Sequence, residues 1–489
     1  MTSRPAAVPA AVPAAVPSNL PATQPAAPTA IPPAGVPAAS PWPVFWIASI
    51  AVLLVSIDAT VLYAAFGTLR AAFPQASAGD LSWVLNAYTV TYAAMLIPAG
   101  GLADVHGRKR MFLAGALLFL AGSAACGAAG SIGLLIAARE LQAIGAALLT
   151  PASLSLILDA FPQSRRAVAV SLWGAVGGLA AAIGPSLGSL IVDAMGWEWA
   201  FYINLPIGAV SLVAGVKRLR ESRIPGRVQH VDLVGMALLV VAVGGAALVL
   251  TQYESRAWSG NALGIAGAVS VAALVAFVAW AATARHPLVD LALFRNPTYS
   301  AVNLATLSFS VAFAMMFFGF FAFMTGVWHF SLPLAGVAVT PGPLMVVPVA
   351  ILGGRLAARH GHRPVLVGGA LLYAASGAWL ALVPGPTPAY WTHWFPGLLL
   401  SGIAVGLVLP SLSGAATARL PQQQYGVGSA VNQAVRQIGG VLGVAIAVVL
   451  VGGNAVTRAD FTVAYLVQAG LALLTGVFCL AVETRPVAR

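Results

Sequence analysis

Fourteen apolar runs, each near the ~20 residues needed to cross a bilayer, succeed one another from residue 44 almost to the end of this 489-residue chain. They cover 44–66, 81–103, 110–130, 132–158, 167–193, 199–217, 232–251, 261–283, 299–325, 333–357, 364–383, 394–413, 426–451 and 462–482. Such a chain has few folds open to it. Inside hydrocarbon every backbone N–H and C=O must find a partner within the protein, so only helices and closed barrels span. Runs of this length without alternation are helices. Only 8% of the residues are charged and 60% are hydrophobic, against about 25% charged in soluble domains. The reading is an all-α integral membrane protein with fourteen transmembrane helices.

The formal net charge of +11 suggests nucleic acid until its placement is considered. With the N-terminus inside, the inner loops hold Arg108, Lys109, Arg110, Arg165, Arg166, Lys217, Arg218, Arg220, Arg223, Arg227, Arg285, Arg295, Arg355, Arg359, Arg363 and Arg419, while the outer loops hold only Arg70, Arg256 and Arg458. This is the positive-inside bias of a multi-pass protein. A missed or extra span would invert every later loop and destroy it. We therefore expect both termini in the cytoplasm, a bacterial-type inner membrane, lipids as the surroundings and no nucleic-acid partner. Residues 1–43 have proline at every fourth position from Pro5 to Pro25. Such a segment cannot bury a core and is expected to be an extended cytoplasmic tail; it lacks the continuous apolar stretch of a signal peptide. The two cysteines, Cys126 and Cys479, lie in apolar runs, and the seven histidines show no ligand spacing, so no metal site or disulfide framework is expected. Without a Walker loop or a visible nucleophile–base pair, the chain reads as no enzyme and as having no cofactor.

The charges left inside the spans carry the functional reading. Asp58 lies in the first span, Arg139 and Glu140 in the fourth, and Arg436 in the thirteenth. A lone intramembrane charge costs several kcal/mol unless it faces the interior and has a partner. Arg139 is the candidate partner of Asp58, and Gln142, three residues on, shares its helix face. Burial and a neighbouring cation act in opposite senses on a carboxylate's affinity for a proton, so changing access can load Asp58 from one side and unload it to the other. Glu140 is a candidate second titrating group. Tyr63, Asn86, Tyr88, Tyr92, Gln142, Asn432, Gln433 and Arg436, with Met316, Phe317 and Phe321, are candidates for a cavity of apolar walls and a few polar groups, which suits an amphipathic small molecule. No carboxylate lies inside the second-half spans, which favours a neutral, zwitterionic or monocationic compound over a dication. No partner for Arg436 is evident. In the fifth span Gly174, Gly178 and Ala182 predict a flat face for close helix packing. The two halves also echo each other: Gly100–Arg110 after the second span and Gly354–Arg363 after the tenth are short basic turns of the form Gly-x-Leu-…-Gly-x-Arg. Paired halves suit a rocking transporter with its substrate held near the midplane.

Six strings in order make the chain from about 44 to 482 resemble the major facilitator superfamily, in its fourteen-span drug:proton antiporter branch. They are Ile57-Asp58-Ala59-Thr60-Val61, the loop Gly100–Arg110, Arg139-Glu140-Leu141-Gln142-Ala143-Ile144-Gly145, Gly184-Pro185-Ser186-Leu187-Gly188-Ser189, Trp197–Gly208 and Gly428–Gly440. The chain departs from the usual patterns at Tyr63, Gly67, Val105, Ala143, Ser189 and Glu198. The resemblance implies a major facilitator fold with a six-helix bundle at 44–220, two added helices at 221–297 and a second six-helix bundle at 298–489. It implies a cytoplasmic gate at Gly100, Asp104, Gly107 and Arg108, in which Asp104 latches the halves in the outward-facing state. It also implies an antiporter hinge at Gly184, Pro185 and Gly188, with proton coupling through Asp58 and Arg139.

The resulting expectation is a secondary transporter, acting as a monomer, that exports a small amphipathic compound such as a drug or secondary metabolite in exchange for protons. The proton-motive force is its energy source. An importer or symporter of a metabolite on the same fold is the first alternative, and a membrane interaction protein without transport the second.

Overall fold

A computed structural model of the chain describes residues 40–162, 165–223, 232–252, 260–420, 425–451 and 457–484; within its helices some side chains, including those of Tyr63 and Pro185, lie outside the described set. The expected N-terminal tail also falls almost wholly outside it. Everything described below belongs to one compact unit, Pro41–Arg489.

The described chain is all helical. Its long elements are α1 (Trp42–Ala72), α2 (Ala78–His106), α3 (Arg108–Gly127), α4 (Ile132–Ala160), α5 (Arg166–Met195), the pair α6 (Trp199–Tyr202) and α7 (Asn204–Arg218), α8 (Leu233–Gln252), α9 (Gly260–Thr283) and α10 (Pro297–Gly326). Then come the pair α11 (Leu332–Val339) and α12 (Pro341–His360), α13 (His362–Leu382), α14 (Phe395–Ala418), α15 (Tyr425–Val451) and α16 (Arg458–Leu480). Among the described residues, twelve helices are long and apolar enough to cross a membrane, where fourteen were expected. The two that fall short do so in composition and in the residues described, not in length. α2 and α5 run for 29 and 30 residues. α2 carries Asn86, Tyr88, Thr89, Thr91 and Tyr92 in its middle, which makes it the more polar helix, and much of α5's side-chain detail lies outside the described set.

The helices start and stop for local reasons. Ser77 opens α2 and Thr457 opens α16 with reciprocal capping boxes: in each, the hydroxyl residue and an aspartate three residues on, Asp80 or Asp460, satisfy each other's backbone N–H. Gly107, Gly196 and Gly361 end α2, α5 and α12 with φ of 111°, 97° and 81°, a region that L-residues with a Cβ rarely adopt. Gly107 and Gly361 occupy matching places in the two basic turns, so the echo seen in sequence is also a repeat of backbone geometry.

Packing follows the small residues. α3 lies on α4, α1 on α5, α10 on α15 and α13 on α16, while α8 pairs with α9 and rests on α2 and α15. A Cβ on Gly115 would come within 2.8 Å of the Leu149 backbone N and 2.9 Å of the Gly145 carbonyl oxygen, so α3 and α4 touch backbone to backbone there. The expected small face of α5 needs correction. Gly174 faces open space, whereas a Cβ on Gly177 would meet Val52 at 3.0 Å and one on Gly188 would meet Val61 at 2.8 Å. Gly177, Gly184 and Gly188 therefore form the face that closes on α1; at Gly178 and Ala182 only the backbone is described. Replacing Gly115 by valine overpacks the α3–α4 contact and should cost about 1–3 kcal/mol, read as a lower melting temperature in detergent. Unchanged melting would show that the two helices are not held this closely.

Candidate functional site

Five helical elements converge on Asp58. It is 2% exposed and Arg139 1%. Arg139 Nη1 donates to Asp58 Oδ2 at 2.6 Å and to Gln142 Oε1 at 2.5 Å. Gln142 Nε2 donates to Asp58 Oδ1 at 2.8 Å and to Ser123 Oγ at 2.8 Å. Asn204 Nδ2 donates to the same Asp58 Oδ1 at 3.2 Å and reaches Ser123 Oγ at 3.3 Å. The Arg139 Nε–H is taken by the Val84 carbonyl oxygen at 3.0 Å. Its guanidinium carbon lies 4.0 Å from the centroid of the Tyr88 ring and 5.8 Å from that of Phe201, an arrangement in which the ring faces add attraction for the cation. Asp58 thus accepts from an arginine, a glutamine and an asparagine in a site closed to solvent. Only such a set of partners makes a buried ion pair tolerable.

The helix pitch brings this about. Arg139 and Gln142 are three residues apart and face α1 together. Gly122 on α3 leaves no room for a Cβ against Gln142, whose Cα and Cβ would lie 2.7 and 2.8 Å from it. Gly188 lets α5 press on α1 at Val61, one turn beyond Asp58. Gly184, at the start of the Gly-Pro string, packs the same way against Thr60, and α5 runs on as a helix through Pro185. Glu140 turns away from the Asp58 cluster. It is half-buried, and its carboxylate is held by the Thr91 hydroxyl.

A second polar group lies on the seam between the halves. Tyr88 stacks on Tyr92, with ring centroids 5.9 Å apart and planes 14° from parallel. The Tyr92 hydroxyl donates to Thr150 Oγ1 at 3.0 Å, and Gln433 and Arg436 of α15 are its neighbours from the other half. Tyr88, Tyr92, Gln433 and Arg436 are therefore brought together, and Tyr88 links them to Arg139. Other expected cavity residues lie elsewhere. Asn432 turns to α10, donating to Asn303 Oδ1 at 3.1 Å and Thr306 Oγ1 at 2.9 Å. Met316, Phe317 and Phe321 are buried in the core of the second half, where the Tyr373 hydroxyl meets the Met316 sulfur at 3.1 Å. Asn86 is fully buried and its amide has no hydrogen-bond partner among the described residues. The Tyr63 side chain is outside the described set.

At the basic end, Arg108 pairs with Asp104 at 3.1 Å and also with Asp159 at the end of α4. Gly100 brings α2 close to Pro151 of α4. Glu221 and Ser222, just past α7, complete the turn, and the sequence reading missed both. The Glu221 carboxylate accepts from the backbone N–H groups of Lys109 and Arg110 at 3.0 and 3.1 Å, capping α3. It also fills the space a Cβ on Gly107 would need, at 2.5–2.8 Å. The Ser222 carbonyl oxygen accepts from Arg108 N at 2.9 Å, and its hydroxyl donates to Asp159 at 2.6 Å. In the second half Thr484 Oγ1 accepts from His362 N at 2.7 Å. Glu221-Ser222 and Glu483-Thr484 form a second echo of the halves, and that short repeat was the available signal. Asn204 lay within a recognised string without a role, and Ser123 gave no signal, since single serines are common in apolar helices.

Residues 48–444, and in a second match 302–489, fit the profile of the Major Facilitator Superfamily. The chain belongs to that superfamily. It is 33% identical over 421 residues to an uncharacterized MFS-type transporter of Mycobacterium tuberculosis, covering 83% of this chain and 69% of that one. It is 31% identical to the tetracenomycin C resistance and export protein of Streptomyces glaucescens, covering 85% and 76%. With the methylenomycin A resistance protein of Bacillus subtilis it shares 30% identity over 86% and 90%. The fold matches that of a D-xylose–proton symporter with a TM-score of 0.65 at 14% identity, over 91% of this chain and 98% of the other. The protein is thus a multi-pass membrane transporter of the major facilitator type, with relatives named for multidrug and antibiotic resistance.

In this transporter the Asp58–Arg139 pair is a strong internal constraint. Asp58→Asn or Arg139→Gln alone leaves a buried charge unpaired and should cost about 3–5 kcal/mol, whereas the double variant removes both charges and should be less destabilised than either single change. Unfolding titrations of the purified protein in detergent measure this; simple additivity would show that the two side chains do not form a pair.

Proposed function

We propose that this chain is a proton-coupled antiporter that exports small amphipathic compounds, with fourteen spans and both termini in the cytoplasm. The observation that carries the reading is the buried Asp58–Arg139 pair, with Gln142 and Asn204 on the same carboxylate. It is an intramembrane acid whose charge is neutralised by one partner, Arg139, and it is linked by the Tyr88–Tyr92 stack to the seam between the halves. Protonation of Asp58 would release Arg139 to its other acceptors, Val84 and Gln142, and so change the packing of α1, α2 and α4 at the seam. The resistance and export names of the relatives favour export over import. The lengths of α2 and α5 and the basic loops favour fourteen spans inserted with the basic end inside. Protons crossing 100 mV supply about 2.3 kcal/mol per charge.

Contacts between the halves bridge the end opposite the basic loops. Ser186 of α5 donates to the Gly336 carbonyl oxygen at 3.1 Å and contacts Thr340 Oγ1. Phe66 of α1 meets Phe318 of α10 edge to face at 5.0 Å. In the proposed orientation these contacts form the outer gate, as a state that loads substrate from the cytoplasm requires. Cysteines at 186 and 340, joined by an oxidant, should lock this state and abolish turnover, with recovery on reduction; full transport by the cross-linked protein would exclude this contact as a gate.

The direct test is proton flux in inverted vesicles on addition of a panel of amphipathic compounds. Wild type should give a compound-dependent pH change, and Asp58→Asn should lose at least tenfold of it, on the scale of a general acid–base group removed. An undiminished response in Asp58→Asn would reject Asp58 as the coupling acid and leave Glu140 to be tested next.

A further inference from the structure

The second half holds a cation that its own residues leave unanswered. Arg436 stands near the middle of the 27-residue α15 and is half-buried. Arginine does not give up its proton in a protein, and a charge at this depth needs a partner. Helices α2, α8, α10, α14 and α16 pack against α15. α8, α10 and α14 contain no acid at all; α2 has Asp80 and Asp104 only in its first and last turns, and α16 has Asp460 only in its first. Asp58 is committed to Arg139, and Glu140 is held by Thr91, with Arg139 as the cation beside it. No carboxylate among the described residues pairs with Arg436.

The side chain stands where the two faces of α15 meet. Gly439 and Gly443 press on α10, where Cβ atoms would lie 2.7 Å from Ser310 Cβ and 2.8 Å from Ala314 Cβ, and Asn432 bonds to Asn303 and Thr306 on the same helix. Gly440 faces the other half, with Thr89 Cγ2 at 3.9 Å from its Cβ position. Arg436 is one turn from Gly440 and three residues from Gly439, so it stands at the border of the two faces, and Gln433, three residues before it, lies on the Gly440 side. Because α2 and α15 run in opposite directions through the bundle, one turn back on α15 from the Gly440–Thr89 contact corresponds to Tyr92 on α2. That tyrosine is the neighbour Arg436 has. The result is a guanidinium, an amide and a phenol at mid-depth on the seam, beside the stack that leads to Arg139.

We propose that Arg436, with Gln433 and Tyr92, binds an anionic group of the transported compound, so that the substrates are amphipathic organic anions, carrying a carboxylate or an acidic phenol, and not cations. This rests on the export reading and deepens it. A planar fork of N–H donors recognises a carboxylate bidentately. It replaces the sequence expectation of a neutral, zwitterionic or monocationic substrate, which considered missing acids but left the extra arginine without a partner. One monoanion leaving for one proton entering moves two charges per cycle, so transport is electrogenic and assisted by a negative interior.

The test uses the full chain in neutral detergent and three probes on one ring system: pyrenebutyrate, its uncharged amide, and pyrenebutyl-trimethylammonium, titrated by energy transfer from tryptophan. Wild type should bind the carboxylate at least about tenfold tighter than the amide. Arg436→Gln should bring that ratio close to one, and Arg436→Lys should keep part of it, because lysine supplies the charge without the fork. Unliganded Arg436→Gln should melt no lower than wild type, since it removes a charge that has no partner. Equal binding of carboxylate and amide by wild type, or a preference that survives Arg436→Gln, overturns the inference, as does marked destabilisation of Arg436→Gln. Proton flux in proteoliposomes separates this from the export reading. Asp58-dependent flux driven by the ammonium probe but not by the carboxylate sinks the anion site and keeps export. Arg436-dependent carboxylate binding without any coupled proton flux keeps the site and sinks proton-coupled export.

Discussion

A carboxylate and a guanidinium placed where water cannot reach them set the terms for the first half of this transporter. Asp58 and Arg139 are tolerable in the bilayer only because they neutralise each other and because Gln142, Asn204 and the Val84 carbonyl take up their remaining donors and acceptors. That requirement reaches outward. Asn204 must be delivered by the break between α6 and α7, Gln142 needs the missing side chain of Gly122 on α3, and α5 must come close enough to shield Asp58, which Gly184 and Gly188 permit. Four of the recognised strings meet around one carboxylate. Their wide separation along the chain is the consequence of a site assembled from several helices.

The second half is built differently. Its core is aromatic: Phe320 and Phe323 pack with Trp394, which Trp328 also contacts, and Phe461 and Tyr465 join the same cluster. Its polar groups are amides and hydroxyls, with one arginine and no interior acid. The two halves thus carry complementary chemistry across the seam: a neutralised ion pair on one side and, among the described residues, a cation with no carboxylate partner on the other. The Tyr88–Tyr92 stack lies between them. Moving one half against the other alters the distance between these groups, which is the physical requirement for coupling two sites.

The basic end shows how a loop signature works as a mechanical part. Gly107 is needed for its backbone angle and also because the Glu221 carboxylate occupies the place of a side chain. Asp104, Arg108, Asp159 and Ser222 tie α2, α4 and the segment after α7 into one block. The loop joining α2 to α3 is thereby clamped within its own half.

Helix existence and order were legible in the sequence because hydrocarbon allows few alternatives: a run of twenty apolar residues has one stable backbone solution. The pairing of Asp58 with Arg139 and Gln142 was legible too, since an unpartnered intramembrane acid is too costly to occur and helix pitch names the face. What the sequence could not determine was azimuth, the direction each helix face takes in the bundle. Gly177, and not Gly174, faces α1; Asn432 turns to its own half while Gln433 and Arg436 turn to the other; Met316 and Phe321 go into the core. Rotation about a helix axis is decided by neighbours many residues away, through close backbone contacts that leave no periodic trace in a uniformly apolar span. Asn204, Ser123 and Glu221 entered the site for the same reason, as groups whose roles exist only once separate helices stand side by side.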